Sequence, residues 1–420
     1  MSKQSANIFS LLEKRQINGK KENQTSYFNK AIKEHGMKYQ CGIKGHTNSI
    51  NMLTFSHSGD HFASVDQSGE LFEWGVDSCL SNDQNQSKHL WKASFKNETL
   101  YVQYSNDDLY LLVTSGSKIF KIDRSQKKIV QKFNHHTQQV NQISTQIGNN
   151  HVFISASNDN SVQLIDERVK GACLVKKMSH SIHCNSVRFH PHIEPHFVVG
   201  DSGSSVFMFD FRFLPSSIRK ENSLVNFKTE TDLETHVFDL KFNQDGTILA
   251  GSVHRNPIHV WNINNPENPM YLLKDDLYKS STLRKNICFG GPNYVISGGD
   301  YWLVHMWDIT QKNNSSSGRI IAKSDFNLNA HNCNVSSCDY HPSLPLLLSA
   351  GVEKRIISWS IWNQEVPKQR PKYVEIESGS QRGGLTNTSR VLILTDESDG
   401  TTEESYFMYT YFDYLNTIKS

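Results

Sequence analysis

The chain has 420 residues, of which 37% are hydrophobic and 20% are charged. A chain of this length exceeds the usual size of one domain unless its fold is a barrel, a propeller or a repeat array. Its 44 basic and 42 acidic side chains nearly balance, so charge does not point to a nucleic-acid or anionic-membrane partner. The seven cysteines form no CxxC pair, which fits a reducing compartment.

The N-terminal region, residues 1–36, predicts a short helical arm. Ile8, Leu11 and Leu12 fall on one face of a first helix. A second apolar stripe, at 27–36, ends in a glycine that favours a helix stop. The region has no apolar run long enough for a secretory signal, and no other segment is long and apolar enough for a membrane span. We therefore expect a soluble intracellular protein without a membrane partner.

Between residues 37 and 362 three landmarks recur in the same order. A histidine stands nine residues before the end of a first strand, a turn follows that strand, and a large apolar residue closes a later strand. The closing residues are Trp74, Ile122, Ile165, Phe209, Trp261, Trp307 and Trp359. Their spacing of about 43 to 52 residues matches the period of a WD-repeat blade, and such blades need neighbours to bury their faces. The sequence predicts an all-β fold, a seven-bladed WD-repeat β-propeller over 37–362.

In such a blade a histidine, a serine, an acid and an indole can form a buried chain of hydrogen bonds. The candidate members are His136, Ser155 and Asp159 in blade three, His331, Ser349, Glu353 and Trp359 in blade seven, and His46, Ser68 and Trp74 in blade one. Ile165 replaces the indole in blade three, and a serine stands in the acid position of blade one. We therefore expect incomplete networks and a propeller that depends more on apolar packing.

The two ends of the propeller predict how the ring closes. Blade seven runs out of strands near Trp359, so we expect residues 37–43 to supply its outer strand and remove one sheet edge. Residues 363–420 are rich in glycine, serine, threonine and charge, which predicts a largely disordered tail. Within that tail only residues 405–418 are apolar enough to fold or dock.

Catalytic and metal-binding motifs are sparse in this sequence. The chain has 19 histidines, but the repeat assigns His180 to a blade network and His190 to a turn, with a metal site as the alternative. Cys333 and Cys338 flank a first strand and are expected to be small buried residues. GxSxG elbows, phosphate-binding loops and glycine fingerprints are absent from the sequence. We expect neither a cofactor nor an enzymatic activity, with a propeller hydrolase as a remote alternative.

Two consecutive blades end their third strand in Asp-x-Arg. The stretches are "FISASNDNSVQLIDER" at 153–168 and "FVVGDSGSSVFMFDFR" at 197–212. Nothing in strand formation requires the arginines, and their planar fork suits bidentate bonds to a partner's carboxylates or carbonyls. The alternative is a salt bridge inside the blade, such as Arg168 closing on Asp166 or Asp210.

These stretches resemble the WD-x-R box of the WD-repeat substrate receptors that join cullin-4 ubiquitin ligases through the damaged-DNA-binding adaptor. Ile165 and Phe209 stand in place of the tryptophan of the box. The order of features over residues 7–360 is similar to the factor-5 branch of those receptors. The similar stretches are "FSLLEKRQINGK" in the arm, "IKGHTNSINMLTFSHSGDHFAS" in blade one, "NICFGGPNYVISGGDYWLVHMWDI" in blade six and "SAGVEKRIISWS" in blade seven.

The resemblance implies a non-catalytic substrate-recognition subunit of a cullin-4 RING ligase, located in cytoplasm and nucleus, without direct contact to nucleic acid. In that family the arm enters a cleft of the adaptor, and the arginine after the third strand lies on the narrower side, where the adaptor docks. The implied adaptor-binding residues are Ile8, Leu11, Leu12, Asp166, Arg168, Asp210 and Arg212. The arm could instead pack along the propeller. The alternative function is a generic WD-repeat scaffold for another multiprotein complex, for instance on chromatin.

Turns between second and third strands open on the face opposite the Asp-x-Arg boxes and are candidates for substrate binding. Blade six places Tyr301 and Trp302 in such a turn, where exposed aromatic rings would be interface anchors. Arg255 and Lys354 occupy the equivalent turns of blades five and seven. The alternative is that Trp302 folds down against its own blade.

Overall fold

The computed structural model divides the chain into two compact units, Met1–Gln364 and Glu365–Ser420. The residues that the structure describes are 29–34, 36–79, 89–169, 174–179, 182–213, 223–229, 235–281, 283–310, 320–361, 373–377 and 390–394. The predicted arm residues Ile8, Leu11 and Leu12 lie outside these ranges, as do His180 and the apolar segment 405–418.

Seven sheets, one for each blade, are described in the first unit, and they confirm the predicted seven-bladed propeller. Each contains four antiparallel strands, and the sheet of blade five has a fifth strand. One strand, β1 (Lys38–Lys44), precedes the first sheet. Blade one contains β2 (Ile50–Phe55), β3 (His61–Asp66), β4 (Glu70–Gly75) and β5 (Trp91–Ser94), and blade two contains β6 (Val102–Tyr104), β7 (Tyr110–Ser115), β8 (Lys118–Asp123) and β9 (Lys128–Phe133). Blade three contains β10 (Val140–Thr145), β11 (Val152–Ser157), β12 (Ser161–Asp166) and β13 (Leu174–Ser179), and blade four contains β14 (Cys184–Phe189), β15 (His196–Asp201), β16 (Val206–Asp210) and β17 (Val225–Phe227).

The remaining three blades follow the same order of strands. Blade five contains β18 (Val237–Phe242), β19 (Ile248–Val253), β20 (Ile258–Asn262) and β21 (Tyr271–Leu273). Blade six contains β22 (Ile287–Gly290), β23 (Tyr294–Gly298), β24 (Leu303–Asp308) and β26 (Phe326–Asn329). Between the last two of these, β25 (Ile320–Ala322) pairs in parallel with β21 and adds a fifth strand to blade five. Blade seven contains β27 (Val335–Tyr340), β28 (Leu346–Gly351), β29 (Arg355–Ser360) and, as its outer strand, β1.

The pairing of β1 with β29 closes the ring, as predicted. The two strands are antiparallel, with Tyr39 opposite Trp359 and Lys44 opposite Arg355. The first and last strands of the propeller therefore belong to one sheet. This arrangement removes a free sheet edge at the seam between the chain ends.

The apolar residue that closes each third strand forms the core between blades. All seven side chains are buried, and they are Trp74, Ile122, Ile165, Phe209, Trp261, Trp307 and Trp359. Each is the last but one residue of its strand. The same burial therefore recurs in every blade, whether the residue is an indole, a phenyl ring or an isoleucine.

Two of the three predicted polar networks are complete. In blade one His46 contacts Asp66 Oδ2 at 2.8 Å and Ser64 Oγ at 2.6 Å, and Trp74 Nε1 donates to Ser64 Oγ at 2.9 Å. The acid is thus Asp66 and not Ser68, which donates to Asp66 Oδ1 instead. The prediction of incomplete networks was wrong for this blade, because the acid comes from the end of the second strand.

Blade seven also has a complete network, and blade three lacks only the indole. His331 contacts Glu353 and, at 2.6 Å, Ser349 Oγ, to which Trp359 Nε1 donates at 2.7 Å. The corresponding contacts in blade three are from His136 to Asp159 Oδ2 at 2.9 Å and to Ser155 Oγ at 2.8 Å. The imidazole, hydroxyl and carboxylate groups in these networks are almost fully buried, so their mutual hydrogen bonds offset the cost of desolvation.

We name the two sides of the ring by their turns. The lower face carries the turns after first strands and the turns after third strands, including both Asp-x-Arg sequences. The upper face carries the turns between second and third strands. A third strand joins the two faces, so these sets of turns lie at opposite ends of each blade.

A helical segment, residues 29–34, leads into the closing strand. The backbone N of Gly36 donates to the carbonyl O of Ile32 at 2.7 Å, and Gly36 has φ 66°, as expected for a glycine that ends a helix. Ile32 is fully buried with Tyr39 and residues of blades six and seven. The end of the predicted arm is therefore part of the propeller core.

The second unit contains one described pair of strands. β30 (Tyr373–Glu377) and β31 (Arg390–Leu394) are antiparallel, with Tyr373 opposite Leu394. The sequence analysis did not predict this pair within the tail. Both segments are rich in β-branched and aromatic residues, which favour strands.

Candidate functional site

The Asp-x-Arg turns of blades three and four fold in the same way. Arg168 donates from its backbone N and Nε to Asp166 Oδ1, at 3.0 and 2.9 Å, and from Nη2 to Oδ2 at 2.7 Å. Arg212 makes the same contacts with Asp210, at 2.9, 3.1 and 2.6 Å. These hydrogen bonds hold the pKa of each aspartate below its usual value. Both pairs are therefore ionised at neutral pH.

Both arginines also face solvent. Each arginine side chain is 59% exposed, although it is paired with its own aspartate. A guanidinium has five N–H donors, which is more than one carboxylate takes up. The two alternatives considered for these arginines are therefore compatible, since the salt bridge inside the turn orients a guanidinium that remains accessible to a partner.

Other blades form the same turn without arginine. In blade six the backbone N and Oγ1 of Thr310 donate to Asp308 Oδ1 at 2.8 and 2.5 Å. In blade five the backbone N of Asn264 donates to Asn262 Oδ1 at 2.9 Å. The turn thus depends on a bond from a backbone N–H to a side-chain oxygen. The two arginines are not needed for it, which favours a role at the surface.

Exposed apolar side chains surround the Asp-x-Arg turns on the lower face. Val169 and Phe213 each follow an arginine of these turns, and Phe213 is 77% exposed, with the Arg212 guanidinium 5.2 Å from its ring centroid. The turns after the first strands of blades two, three and four also expose apolar residues. We call the group the lower patch, and it consists of Leu109, Ile147, Val169, Ile193 and Phe213.

Hydrogen bonds between blades join the turns that carry the lower patch. Asn106 Nδ2 of blade two donates to the carbonyl O of Gln146 in blade three at 2.7 Å. Gln146 Nε2 in turn donates to the carbonyl O of Glu194 in blade four at 3.3 Å. The turns that expose Leu109, Ile147 and Ile193 therefore form one connected surface across three blades.

All seven turns on the upper face contain one residue with left-handed backbone geometry. In blades one and two it is a glycine, Gly69 (φ 89°) and Gly116 (φ 57°). A Cβ on Gly69 would lie 2.5 Å from the carbonyl O of Phe95, so only glycine fits there. The other five blades use Asn160, Ser204, Arg255, Trp302 and Lys354, with φ between 57° and 67°.

Three of these residues have large side chains in a conformation that L-residues rarely adopt. The left-handed conformation costs such a residue roughly 1–2 kcal/mol, and strain of this kind concentrates at functional sites. The structure places Arg255, Trp302 and Lys354 in the predicted turns, together with Tyr301, which is 45% exposed. Arg255 is exposed, whereas Trp302 and Lys354 are half-buried. Their role in substrate binding stays a prediction.

The sequence analysis missed two residues of these surfaces. Phe213 directly follows the second Asp-x-Arg, in a short 3-10 helix (Phe211–Phe213) after the strand, so its exposed position could have been inferred. Lys279 lies in the loop between blades five and six, and its Nζ is 5.1 Å from the centroid of the Tyr301 ring. Nothing in the repeat pattern places this loop over that turn.

The histidine-rich segment around residue 190 has structural contacts. His190 Nε2 contacts the carbonyl O of Gly246 at 3.1 Å, and His192 Nε2 contacts that of Gln244 at 2.9 Å. Across the part of the chain that the structure describes, no group of three or more histidine, cysteine, aspartate or glutamate residues is placed to hold a metal ion. Cys338 is buried and Cys333 half-buried, with a pKa that burial raises to about 11.

Comparison with known proteins agrees with the repeat pattern. The family described as "WD domain, G-beta repeat" matches residues 37–74, 127–166 and 322–360. These segments end with the third strands of blades one, three and seven, which are the blades with the buried histidine networks. The fold is a WD-repeat β-propeller. No described helix is long and apolar enough to cross a membrane.

Two kinds of relatives share part of the chain. It is 27% identical over 149 residues to "DDB1- and CUL4-associated factor 5" of Mus musculus and of Homo sapiens, an alignment that covers 35% of this chain and 16% of each relative. It is also 27% identical over 184 residues to "Methylosome protein WDR77" of Xenopus laevis, which covers 40% of this chain and 50% of the relative. The chain therefore spans well under two thirds of the length of each of these relatives.

Proposed function

We propose that the protein is a non-catalytic substrate-recognition subunit of a cullin-4 RING ubiquitin ligase, related to the factor-5 receptors. The observation that carries this proposal is the pair of exposed arginines, Arg168 and Arg212, at equivalent positions of adjacent blades. Their turns do not require arginine, since Thr310 serves in the same turn of blade six. The partial similarity to DDB1- and CUL4-associated factor 5 supports the same direction.

The lower face has the composition of a protein interface. Arginine and aromatic residues are enriched among the interface residues whose truncation to alanine weakens binding most. The centre of a protein interface is formed mainly by apolar residues. Here Arg212 lies beside the exposed ring of Phe213, and hydrogen bonds between blades hold the neighbouring turns together. An adaptor docking on this face would bury the lower patch and meet guanidinium groups already oriented by their aspartates.

The arm and the upper face complete the proposal. The helix that carries Ile8, Leu11 and Leu12 would enter a cleft of the adaptor, as an amphipathic helix does in a groove. The upper face, with Tyr301, Trp302, Arg255 and Lys354, would hold the substrate protein. Because the two faces lie at opposite ends of each blade, adaptor and substrate could bind at the same time.

Affinity purification tests the proposal. The tagged full-length chain is expressed in its own cells, and its partners are quantified by mass spectrometry, where we expect the adaptor and cullin-4 among the strongest. Replacing Arg168 and Arg212 together by threonine should reduce adaptor capture by about tenfold or more. Threonine is chosen because the turn of blade six already accepts it. Absence of the adaptor from the wild-type purification would overturn the proposal.

A matched control separates the site from a general loss of positive charge. Lys92 and Lys323 are exposed, and each lies in a surface ion pair, with Glu70 at 3.9 Å and Asp276 at 3.3 Å. Changing both lysines to threonine removes two positive charges, as in the double arginine variant. Lys92 lies in an outer strand and Lys323 directly follows one. This control variant should retain the adaptor, and equal losses in both variants would contradict the assignment of the lower face.

A generic scaffold is the second candidate. The similarity to Methylosome protein WDR77 covers 40% of this chain at the same identity, which makes an assembly other than a ligase a specific alternative. The same purification distinguishes the two. A scaffold would retain a different set of stoichiometric partners, without adaptor or cullin-4.

A further inference from the structure

On the upper face of blades five to seven, two cationic side chains are exposed and two acidic side chains are buried. Arg255 and Lys279 are exposed, whereas the acids in the turns of blades six and seven, Asp300 and Glu353, point inward. Asp300 Oδ1 lies 2.9 Å from Nζ of the buried Lys285. Glu353 contacts the buried His331, and the exposed acid of the Lys279 loop, Asp276, is paired with Lys323 at 3.3 Å. The outward charge that Arg255 and Lys279 contribute is therefore positive.

The residues concerned form a continuous surface. The backbone N of Arg255 donates to the carbonyl O of Ser280 at 3.1 Å, and the backbone N of Asp300 donates to that of Lys279 at 2.9 Å. The loop around Lys279 therefore joins the turn of blade five to the turn of blade six. Blade seven is joined in the same way, because the backbone N of Val335 donates to the carbonyl O of Gly299 at 3.2 Å.

Aromatic and aliphatic side chains lie between the cations. The ring of Tyr301 is exposed beneath the ammonium group of Lys279, and Trp302 follows it in the strained conformation described above. Leu283 and Val352 are exposed on the same side. We call the set Arg255, Lys279, Tyr301, Trp302 and Lys354 the upper arc.

We propose that the upper arc binds an acidic peptide, a segment of a partner protein in which aspartate or glutamate residues flank an apolar side chain. The outward cations would meet the carboxylates, and the rings would contact the apolar side chain. A nucleic acid fits less well, since its binding needs several phosphate contacts and the chain as a whole has a net charge of only +2. This proposal rests on the proposed function only where it identifies the peptide as part of the ligase substrate.

Fluorescence anisotropy with the full-length chain tests the proposal. The probes are a labelled peptide of aspartate and glutamate around a central leucine, its asparagine and glutamine analogue, and a single-stranded oligonucleotide. We expect the acidic peptide to bind at least about tenfold more tightly than either of the others. Its affinity should also fall as the salt concentration rises, because exposed charges are screened.

Variants at two positions assign the binding to the arc. Arg255→Ala and Lys279→Ala should each weaken peptide binding several-fold, and together by about tenfold or more. Arg255→Gly should lose as much affinity as Arg255→Ala although it relieves the strained backbone, which shows that the guanidinium and not the turn geometry is responsible. The Lys92→Thr variant should bind like wild type, because Lys92 lies in the outer strand of blade one.

Three outcomes of the binding assays would overturn the proposal, and a fourth comes from comparison with adaptor capture. They are equal binding of the acidic peptide and its neutral analogue, tighter binding of the oligonucleotide, and unchanged affinity in the double variant at Arg255 and Lys279. The Arg168→Thr and Arg212→Thr variant keeps this result separate from the proposed function, since it should lose the adaptor and keep the peptide. A wild-type chain that captures the adaptor without binding the peptide would refute the upper arc alone.

Discussion

Glycine at position 255 should make the protein more stable than alanine at the same position. Arg255 has φ 57° and an exposed side chain in the upper turn of blade five. Both substitutions remove the guanidinium, so they differ only in the Cβ atom that alanine keeps. In most exposed positions the order of stability is the reverse, because glycine has more conformational freedom to lose on folding.

The expected difference follows from two opposing terms. A Cβ in the left-handed conformation costs roughly 1–2 kcal/mol, while the greater freedom of glycine in the unfolded chain costs roughly 0.5–1 kcal/mol. The free energy of unfolding should therefore favour glycine by about 0.5–1 kcal/mol. Lys354 has φ 63° in blade seven, two blades away, so the effects should add. The double glycine variant should exceed the double alanine variant by about 1–2 kcal/mol.

Urea unfolding of the full-length chain measures this difference as a shift of the midpoint at unchanged slope. Tyr301 provides the control, since it is exposed in the same kind of turn but lies outside the left-handed region that its neighbour Trp302 occupies. At that position alanine should be the more stable variant by about 0.5–1 kcal/mol. The reasoning fails if the alanine variants at 255 and 354 are at least as stable to urea as the glycine variants. It also fails if glycine is the more stable variant at 301.

Three further predictions concern the core. Ile32→Ala should lower the free energy of unfolding by about 2–5 kcal/mol, because the side chain is fully buried; a cost near zero in urea unfolding would show that the helix is peripheral. Ser64→Ala should cost about 1–2 kcal/mol more than Ser155→Ala, since only the first leaves a buried indole without its acceptor, and equal costs would argue against the network. Burial lowers the pKa of His305 from 6.5 to about 4, so the unfolded chain takes up this proton first as the pH falls. The stability from the neutral imidazole, roughly 3 kcal/mol, is present above pH 6.5 and lost between about pH 6.5 and 4. His305→Phe should remove that loss, and an unchanged pH profile of the midpoint would contradict the assignment.

The blade count could be predicted from the sequence because one burial requirement repeats. Each third strand needs a large apolar residue before its last position, and Ile165 and Phe209 satisfy this as well as the tryptophans do. The closing strand could be predicted because blade seven would otherwise lack an outer strand. Both inferences rest on packing that every blade shares, so variation in single residues did not affect them.

The acid of blade one could not be found by the same reasoning. In blade three the acid follows the network serine by four residues, and that offset points to Ser68 in blade one. In blade one, however, Asp66 ends the second strand, and its two carboxylate oxygens have different partners. Oδ2 contacts His46, and Oδ1 accepts from Ser68 and from the backbone N of Glu70. A carboxylate two residues earlier thus reaches the same imidazole, which no fixed spacing predicts.

The surfaces were predictable only where they coincide with the repeat. Arg168 and Arg212 stand out because strand formation does not need them, and Arg255 and Lys354 because they occupy equivalent turns. The role of Lys279 depends on a loop that crosses from one blade to the next, where hydrogen bonds to backbone groups of both turns fix its path. Such a path is determined by tertiary contacts and leaves no pattern in the sequence.

Ile32 connects the arm with ring closure and so determines how the arm can be tested. Its side chain packs in one cluster with Tyr39 of the closing strand and Trp359 of the strand opposite. A chain that begins at residue 34 would lose this core residue together with the arm, and loss of adaptor binding would then have two causes. A chain that begins at residue 29 keeps Ile32 and removes Ile8, Leu11 and Leu12, so a folded protein that no longer captures the adaptor would locate the missing contact in the arm itself.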